Sequence, residues 1–234
     1  MSRTGTLART LAVIAAGTAG AYGAYAVAAW YRYGRPAPAG PNDRDDLLDA
    51  FIPAPEVVER HAVRVAAPAS AALAAACATD PGAAVVVRAL FAARARLLGA
   101  REAAPPRPAG LIAQLRGYGW GVLAERPDSE IVLGTVTRPW QADVVFRGVP
   151  PAEFAGFDEP GYVKIAFSLR ADPLGPTASR LRTETRVTTT DPRSRRLFRR
   201  YWAAFSAGIQ VIRRLLLAAA RREAERRARE KPSS

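Results

Sequence analysis

The fold of this chain is decided by residues 191–229, DPRSRRLFRRYWAAFSAGIQVIRRLLLAAARREAERRAR. This stretch predicts one long helix that begins at Asp191-Pro192 and runs to about Arg229. Its apolar residues recur at alternating intervals of four and three, which places them on one helix face. They are Phe198, Trp202, Phe205, Ile209, Ile212, Leu216 and Ala219. One continuous apolar stripe therefore faces one partner, and that partner must come from the preceding sequence.

The preceding sequence contains short runs in which apolar and polar residues alternate, the pattern of β-strands. Residues 56–66 predict a first strand, and residues 119–190 predict about five more in meander-like succession, one of them over Trp140–Phe146. Turns are predicted at Pro127-Asp128 and at 172–176. Because each strand has one polar face, we expect an antiparallel sheet that is covered on one side only.

Two helices, at 69–78 and 82–98, are predicted between the first strand and the others. The sequence therefore predicts an α+β fold in which a curved antiparallel sheet of about six strands wraps around the long C-terminal helix. A cavity between sheet and helix is expected, which favours a binding container.

The N-terminal region contains a stretch without charged residues, from Thr10 to Tyr31. Its 22 residues would span about 33 Å as a helix, roughly the thickness of a bilayer core. We predict an uncleaved single-pass membrane anchor. A cleaved signal peptide, with the small-x-small site Ala24-Tyr25-Ala26, and a soluble leader are the alternatives. Arginines flank both ends about equally, so the orientation stays open, with a cytoplasmic domain preferred.

These boundaries divide the chain into five segments. They are a leader (1–9), the anchor (10–31), a Pro- and Gly-rich linker (32–50), the globular domain (51–222) and a basic polar tail (223–234).

The positive charge of the chain is concentrated at its C-terminal end. The segment from Pro192 onward contains 13 Arg and Lys against 3 Glu, which is +10 of the net charge of +13. Arginine doublets at 195–196, 199–200, 213–214, 221–222 and 226–227 predict a basic ridge on the outer side of the helix. Such a ridge is either a solvated helix face or a contact for anionic lipid headgroups. Nucleic acid is not an expected partner, since no exposed aromatic residues alternate with these arginines.

The sequence contains no set of residues that would hold a metal or a cofactor. Cys77 is the only cysteine and His61 the only histidine, which excludes a disulfide within the chain and a cysteine-based metal site. The motifs of nucleotide-binding loops and of serine hydrolases are also absent from the sequence. No metal and no cofactor is therefore expected.

Two residues of the first strand are the candidates for acid–base chemistry. Glu59 and His61 are two positions apart and so lie on the same strand face. Together they are the best acid–base pair of the chain. The alternatives for His61 are a structural hydrogen bond or a hydrogen bond to a ligand.

A further set of residues is predicted to line the space between the sheet and the helix. Four threonines are in phase with inward apolar positions of the strands: Thr135, Thr137, Thr183 and Thr185. Their hydroxyls therefore bond either to a ligand or to backbone and water. The aromatic members are core residues, cavity wall, or both. The predicted ligand-binding residues are Trp120, Thr135, Trp140, Phe167, Thr183, Thr185, Trp202, Phe205 and Ile209.

The order of these elements resembles the START-like, or helix-grip, superfamily, also called SRPBCC. The resemblance is carried by residues 61–68 (HAVRVAAP), 119–140, 159–165 (EPGYVKI), 182–186 (RTETR) and 198–212. It covers about Phe51 to Arg222, and an uncharacterised bacterial branch with an N-terminal hydrophobic segment is the nearest pattern. The resemblance implies a hydrophobic cavity between sheet and helix and carries over no catalytic residue.

Three functions remain open from the sequence. The first is membrane-tethered binding of a hydrophobic small molecule or lipid, without catalysis. The second is an enzyme similar to polyketide cyclases and dehydratases that uses His61 and Glu59. The third is an interaction protein that docks through its basic C-terminal helix.

Overall fold

The computed structural model describes residues 3–41, 43–100 and 110–230, and most side chains before residue 16 lie outside this description. The predicted leader (1–9) and the end of the predicted tail fall largely outside the described side chains. Seven α-helices and six strands are found in the described part. The helices are α1 (Arg3–Arg32), α2 (Asp46–Phe51), α3 (Ala69–Ala78), α4 (Val85–Leu98), α5 (Leu111–Gly117), α6 (Pro151–Phe154) and α7 (Pro192–Glu230), with a 3-10 turn at Pro81–Ala83.

The strands form one antiparallel sheet. They are β1 (Val57–Val65), β2 (Gly121–Arg126), β3 (Glu130–Thr137), β4 (Phe146–Arg147), β5 (Val163–Gly175) and β6 (Ala178–Thr189). Their order in the sheet is β1-β6-β5-β3-β2, with β4 paired to β3. The first strand is therefore an edge strand, and it lies beside the last strand of the chain.

The long helix α7 lies across one face of this sheet, called here the helix-facing side. Leu216 and Leu217 pack in one apolar cluster with Leu133, Phe167 and Leu169 from the central strands. The predicted α+β helix-grip architecture, with six strands and a long final helix, is confirmed.

A carboxylate fixes the beginning of α7. Asp191 accepts hydrogen bonds from the backbone N–H of Arg193 (2.8 Å) and of Ser194 (3.0 Å), and from the Ser194 hydroxyl (2.5 Å). These bonds hold the pKa of Asp191 well below its usual range. A side-chain acceptor at this position satisfies N–H groups that have no partner within the helix.

The prediction of a strand over Trp140–Phe146 is wrong. Only Phe146 and Arg147 pair with β3, and residues 139–145 form turns and loop. The alternation of apolar residues was real, but the segment leaves the sheet. The turn predicted at 172–176 is also misplaced, because β5 continues to Gly175 and pairs with Ala178. Helices α5 and α6 were not predicted.

The expectation of a sheet covered on one side only is also wrong. The outer side is covered by α2, by α6 and by the linker. Arg182, Glu184 and Arg186 point to this side and are buried. Arg60 donates to the carbonyl of Ala37 (3.0 Å), and Arg182 donates to the carbonyl of Arg44 (3.2 Å). The linker thus packs on the sheet because it satisfies charged residues that alternation alone assigns to solvent.

The predicted anchor lies within α1, which packs against α7 by its C-terminal part. Tyr25 hydrogen-bonds Ser206 (3.1 Å) and Gln210 (2.9 Å), and Arg199 donates to the carbonyl of Trp30 (3.0 Å). Earlier residues of α1 are exposed, and the three glycines Gly17, Gly20 and Gly23 have open space around them. Among the described residues, the helix whose length and composition would suit a membrane span is α7, not α1. Leu216, Leu217 and Ala220 of α7 belong to the core, but only 22% of its most apolar window is buried.

Candidate functional site

The helix-facing side of the sheet carries a polar cluster at its β1–β6 edge. In the strand register, Glu59 lies opposite Thr185 and His61 lies opposite Thr183. The next strand continues these rows with apolar residues, because Thr185 pairs with Phe167 and Thr183 with Leu169. The edge of the helix-facing layer is therefore polar and its centre is apolar.

The two acid–base candidates point to the same side of the sheet. His61 Nε2 lies 3.5 Å from Glu59 Oε2, but no hydrogen bond is formed in this geometry. Instead, Gln210 of α7 donates to Glu59 Oε1 at 3.1 Å. The Nε2 atom of His61 is buried and has no hydrogen-bond partner within the described part of the chain.

A second atom of this cluster lacks a partner. The hydroxyl of Thr183, which is 2% exposed, makes no hydrogen bond among the described residues. An unpaired buried polar group costs roughly 1–3 kcal/mol. Two such atoms on facing residues of one strand pair, His61 and Thr183, are therefore a feature that requires an explanation.

A half-buried cation faces this cluster from the helix. The guanidinium of Arg213 lies 4.1 Å above the ring of Phe167. Desolvation lowers the pKa of Arg213 to about 10, and the charge of Glu59 opposes that shift. The predicted basic ridge is thus wrong at the 213–214 doublet, because Arg213 faces the sheet. Its spacing of four from Ile209 and three to Leu216 is the signal that assigns it to the inner stripe.

Other members of the predicted ridge are also engaged. Arg199 packs over the ring of Trp30 at 4.1 Å, and Arg226 and Arg227 form ion pairs with Glu223 at 2.8 and 2.6 Å. The exposed positive charge of α7 is therefore smaller than the sequence count indicates.

An open cleft of about 540 Å³ lies between β1 and the C-terminal half of α7. Its apolar walls are formed by Val63 and Leu217. Its polar walls are formed by His61, Arg214, Arg221 and Arg222. Because His61 belongs both to the cleft and to the buried cluster, it connects the two.

The predicted ligand-binding residues fall into two apolar clusters. Trp120 and Phe167 belong to the cluster that contains Leu216. Trp202, with Trp140 and Ile209 at its margin, belongs to a second cluster that includes Phe198 and residues of α1. Phe205 packs against the ring of Tyr201 with centroids 5.0 Å apart. Only Thr183 and Thr185 lie in the polar cluster with His61.

The threonines of β3 are occupied by backbone contacts. The Thr135 hydroxyl donates to the carbonyl of Arg147 (3.2 Å), and that of Thr137 donates to the carbonyl of Val145 (2.7 Å). Backbone bonding was one of the two alternatives that the sequence left open. These two hydroxyls contrast with that of Thr183 on the same side of the sheet.

The outer side carries a second buried polar cluster, and most of its groups are paired. Arg186 donates to Glu184 (2.7 Å), to Asp49 (2.5 Å) and to the carbonyl of Ile52 (3.0 Å). Asp45 accepts from the Ser168 hydroxyl (2.9 Å) and from the backbone N–H of Leu48 (3.0 Å).

A buried carboxyl pair completes this outer cluster. Burial and the neighbouring Asp45 raise the pKa of Glu130 to about 8. This shift favours a proton on Glu130 that hydrogen-bonds to Asp45. Arg126 and Arg170, which lie 3.4 and 3.8 Å from Glu130 Oε2, oppose the shift. Within the described residues, no group of three or more His, Cys, Asp or Glu side chains is arranged to hold a metal ion.

The strand order and the helix across one face decide the fold. The chain has a helix-grip fold. No family model and no curated protein sequence matches this helix-grip chain.

Several solved structures match the helix-grip chain at low similarity. One is a conserved protein from Geobacillus kaustophilus, at 10% identity and a TM-score of 0.32, covering 74% of this chain and 96% of that one. Norcoclaurine synthase from Thalictrum flavum matches at 14% identity with a TM-score of 0.27, and the match covers 76% of this chain and 89% of that one. A START superfamily protein from Mycobacterium smegmatis matches at 12% identity with a TM-score of 0.22, and the match covers 68% of this chain and 98% of that one. At these scores the matches carry no functional argument, and function is argued from the site.

Proposed function

We propose that this protein binds a hydrophobic small molecule or lipid between the sheet and α7, and that α1 tethers it to a membrane. The observation that carries the proposal is the pair of buried atoms without partners, His61 Nε2 and Thr183 Oγ1. A mostly apolar site with a few polar groups that lack protein partners is typical of ligand pockets, where those groups orient the ligand.

The apolar walls of the cleft, Val63 and Leu217, would supply the affinity. Phe167, Leu169 and Leu181 lie deeper and are already fully packed next to Thr183 in the strand register. Each Å² of apolar ligand surface that leaves water contributes about 25 cal/mol. The 540 Å³ cleft gives access to the edge of this deeper layer beside His61, so a ligand would enter between β1 and α7.

The tether is supported by the contrast within α1. Its C-terminal part packs on α7 through Tyr25 and Trp30, whereas Val13 is 71% exposed and residues 16–24 are all exposed. An exposed apolar helix of this length is costly in water and favourable in a bilayer.

The test is mass spectrometry of organic extracts from the full chain purified in detergent. We expect a stoichiometric apolar compound in the wild type and its loss in Thr183→Trp, which removes the unpaired hydroxyl and places an indole ring next to His61. Thr188→Trp on the same strand, whose side chain points to the outer side, is the control. A wild-type extract without any bound compound, together with apolar probes that fail to bind, would contradict the proposal.

A second function, acid–base catalysis, is favoured by the 3.5 Å approach of His61 Nε2 to Glu59 Oε2. Both side chains point inward, as this function requires. Glu59, however, is bound by Gln210. Turnover of a bound compound that is lost in both His61→Gln and Glu59→Gln, with binding retained, would support catalysis, and binding without turnover would exclude it.

A further inference from the structure

The cleft beside His61 differs from the rest of the helix-facing side in its charge. Three arginines, Arg214, Arg221 and Arg222, line it together with one carboxylate, Glu225. These groups leave an excess of two positive charges. A purely apolar ligand would gain nothing from them, and their charge would remain without a partner.

The contacts of these arginines identify which of them are available. Arg221 donates to Glu225 at 2.9 Å, and Glu225 also accepts from the backbone N–H of Ala66 at 3.2 Å. This bond to Ala66, followed by that to Arg221, keeps the pKa of Glu225 below its usual range. Arg214 and Arg222 have no carboxylate within 4.0 Å in the described part of the chain. They are therefore the free cations of the cleft.

Both of these cations line the cleft. Arg214 and Arg222 are eight residues apart, which separates them by about 12 Å along the axis of α7 and by about 80° around it. Leu217 lies between them along the helix, and Val63 faces it from β1. A charged rim therefore surrounds an apolar floor, with His61 at its inner end.

We infer that this cleft binds the anionic headgroup of an amphiphile, a phosphate or carboxylate on an apolar chain. The headgroup contacts Arg214 and Arg222, the chain lies on Val63 and Leu217, and His61 Nε2 bonds a polar atom of the ligand. Charge-assisted bonds from arginine to such oxygens are stronger than neutral ones. This inference rests on the proposed function, since it names the class of ligand that the container takes.

Photo-crosslinking tests the inference on the full chain in phosphatidylcholine nanodiscs. The probes are dodecyl phosphate and dodecanol, each with a diazirine on its alkyl chain, and peptide mapping locates the labelled residues. We expect dodecyl phosphate to label residues 61–63 and 217–222 about tenfold more than dodecanol does. Equal labelling of the cleft by both probes would overturn the anionic headgroup and leave the container intact.

Matched variants test the role of the arginines. Arg214→Gln with Arg222→Gln should reduce labelling by dodecyl phosphate about tenfold. Arg196→Gln with Arg200→Gln removes the same charge from exposed residues of the same helix and should leave labelling unchanged. Equal losses in the two double variants would overturn the site, because they would indicate a general charge effect.

Competition separates the amphiphile from a free anion. Inorganic phosphate at millimolar concentration should not displace the dodecyl probe. Displacement by phosphate alone would overturn the amphiphile and indicate an ion site. If neither probe labels any part of the sheet–helix layer, the proposed function fails together with this inference.

Discussion

The two sides of the sheet both bury polar residues, but they treat them differently. On the outer side, Arg186 is 4% exposed and bonds two carboxylates and a carbonyl. On the helix-facing side, Thr183 is 2% exposed and bonds no described group. Two outer atoms, Glu130 Oε1 and Arg182 Nε, also lack a hydrogen bond, but their side chains form ion pairs with Arg126 and with Asp172. Thr183 has neither kind of partner among the described residues, and we propose that a ligand supplies one. The partners of a buried polar group, and not its burial, therefore distinguish structure from binding.

The largest effect should come from breaking the outer network. Replacing Arg186 by Ala leaves Asp49 without its cation and leaves Glu184 with Arg60 as its remaining partner. We therefore expect the free energy of unfolding to fall by about 3 kcal/mol, the lower end for a broken buried pair. Glu159→Ala is the control. Its partner Arg147 is 44% exposed, and loss of such a surface pair costs less than about 1 kcal/mol. Urea unfolding measures both, and a similar small loss in the two variants would mean that the outer network is not structural.

The carboxyl pair of the outer side predicts a dependence of stability on pH. The pKa of Glu130 is about 8 in the folded chain against an ordinary value of 4.5. Between these values the folded state binds more protons than the unfolded state, so the free energy of unfolding falls as pH rises.

Glu130→Gln remains neutral and should remove this part of the pH dependence. Glu125→Gln replaces an exposed carboxyl near the end of β2 in the same way. Its unfolding curve should keep the wild-type slope with pH. Identical slopes in the wild type and Glu130→Gln would show that the pair does not share a proton.

Two threonines of the helix-facing side test the same comparison, with a smaller expected change in stability. Thr137→Val removes a hydroxyl that bonds the carbonyl of Val145 at 2.7 Å, and we expect a loss of about 1 kcal/mol. Thr183→Val removes a hydroxyl without a partner, so the ligand-free protein should keep its stability or gain slightly. Thermal unfolding of delipidated protein measures this difference. A loss in Thr183→Val as large as that in Thr137→Val would mean that its hydroxyl has a structural partner.

The sequence predicted the fold because its strongest periodic segments are also its core. Phe198, Trp202 and Leu216 lie on one stripe of α7, and Leu181, Thr183 and Thr185 alternate along β6. The site was only partly predictable. His61, Glu59 and Thr183 follow from strand phase, but Arg213 and Gln210 do not, because charged and amide residues on a helix are assigned to solvent by default.

The errors have a common physical cause. Alternation over Trp140–Phe146 gives no sign of where a strand leaves the sheet, and the polar faces of β5 and β6 give no sign that the linker covers them. Both depend on contacts between residues distant in sequence, such as Arg182 with the carbonyl of Arg44. Local periodicity carries no information on such contacts.

The central claim is that the unpaired groups of the helix-facing side bind a ligand, and the ring of His61 tests it most directly. Because the sequence has one histidine, the ¹⁵N NMR spectrum of selectively labelled full chain contains a single imidazole. Addition of dodecyl phosphate should shift the Nε2 resonance as this atom gains a hydrogen bond, and Arg214→Gln with Arg222→Gln should abolish the shift. An unchanged Nε2 resonance in protein that has bound the probe would contradict the account.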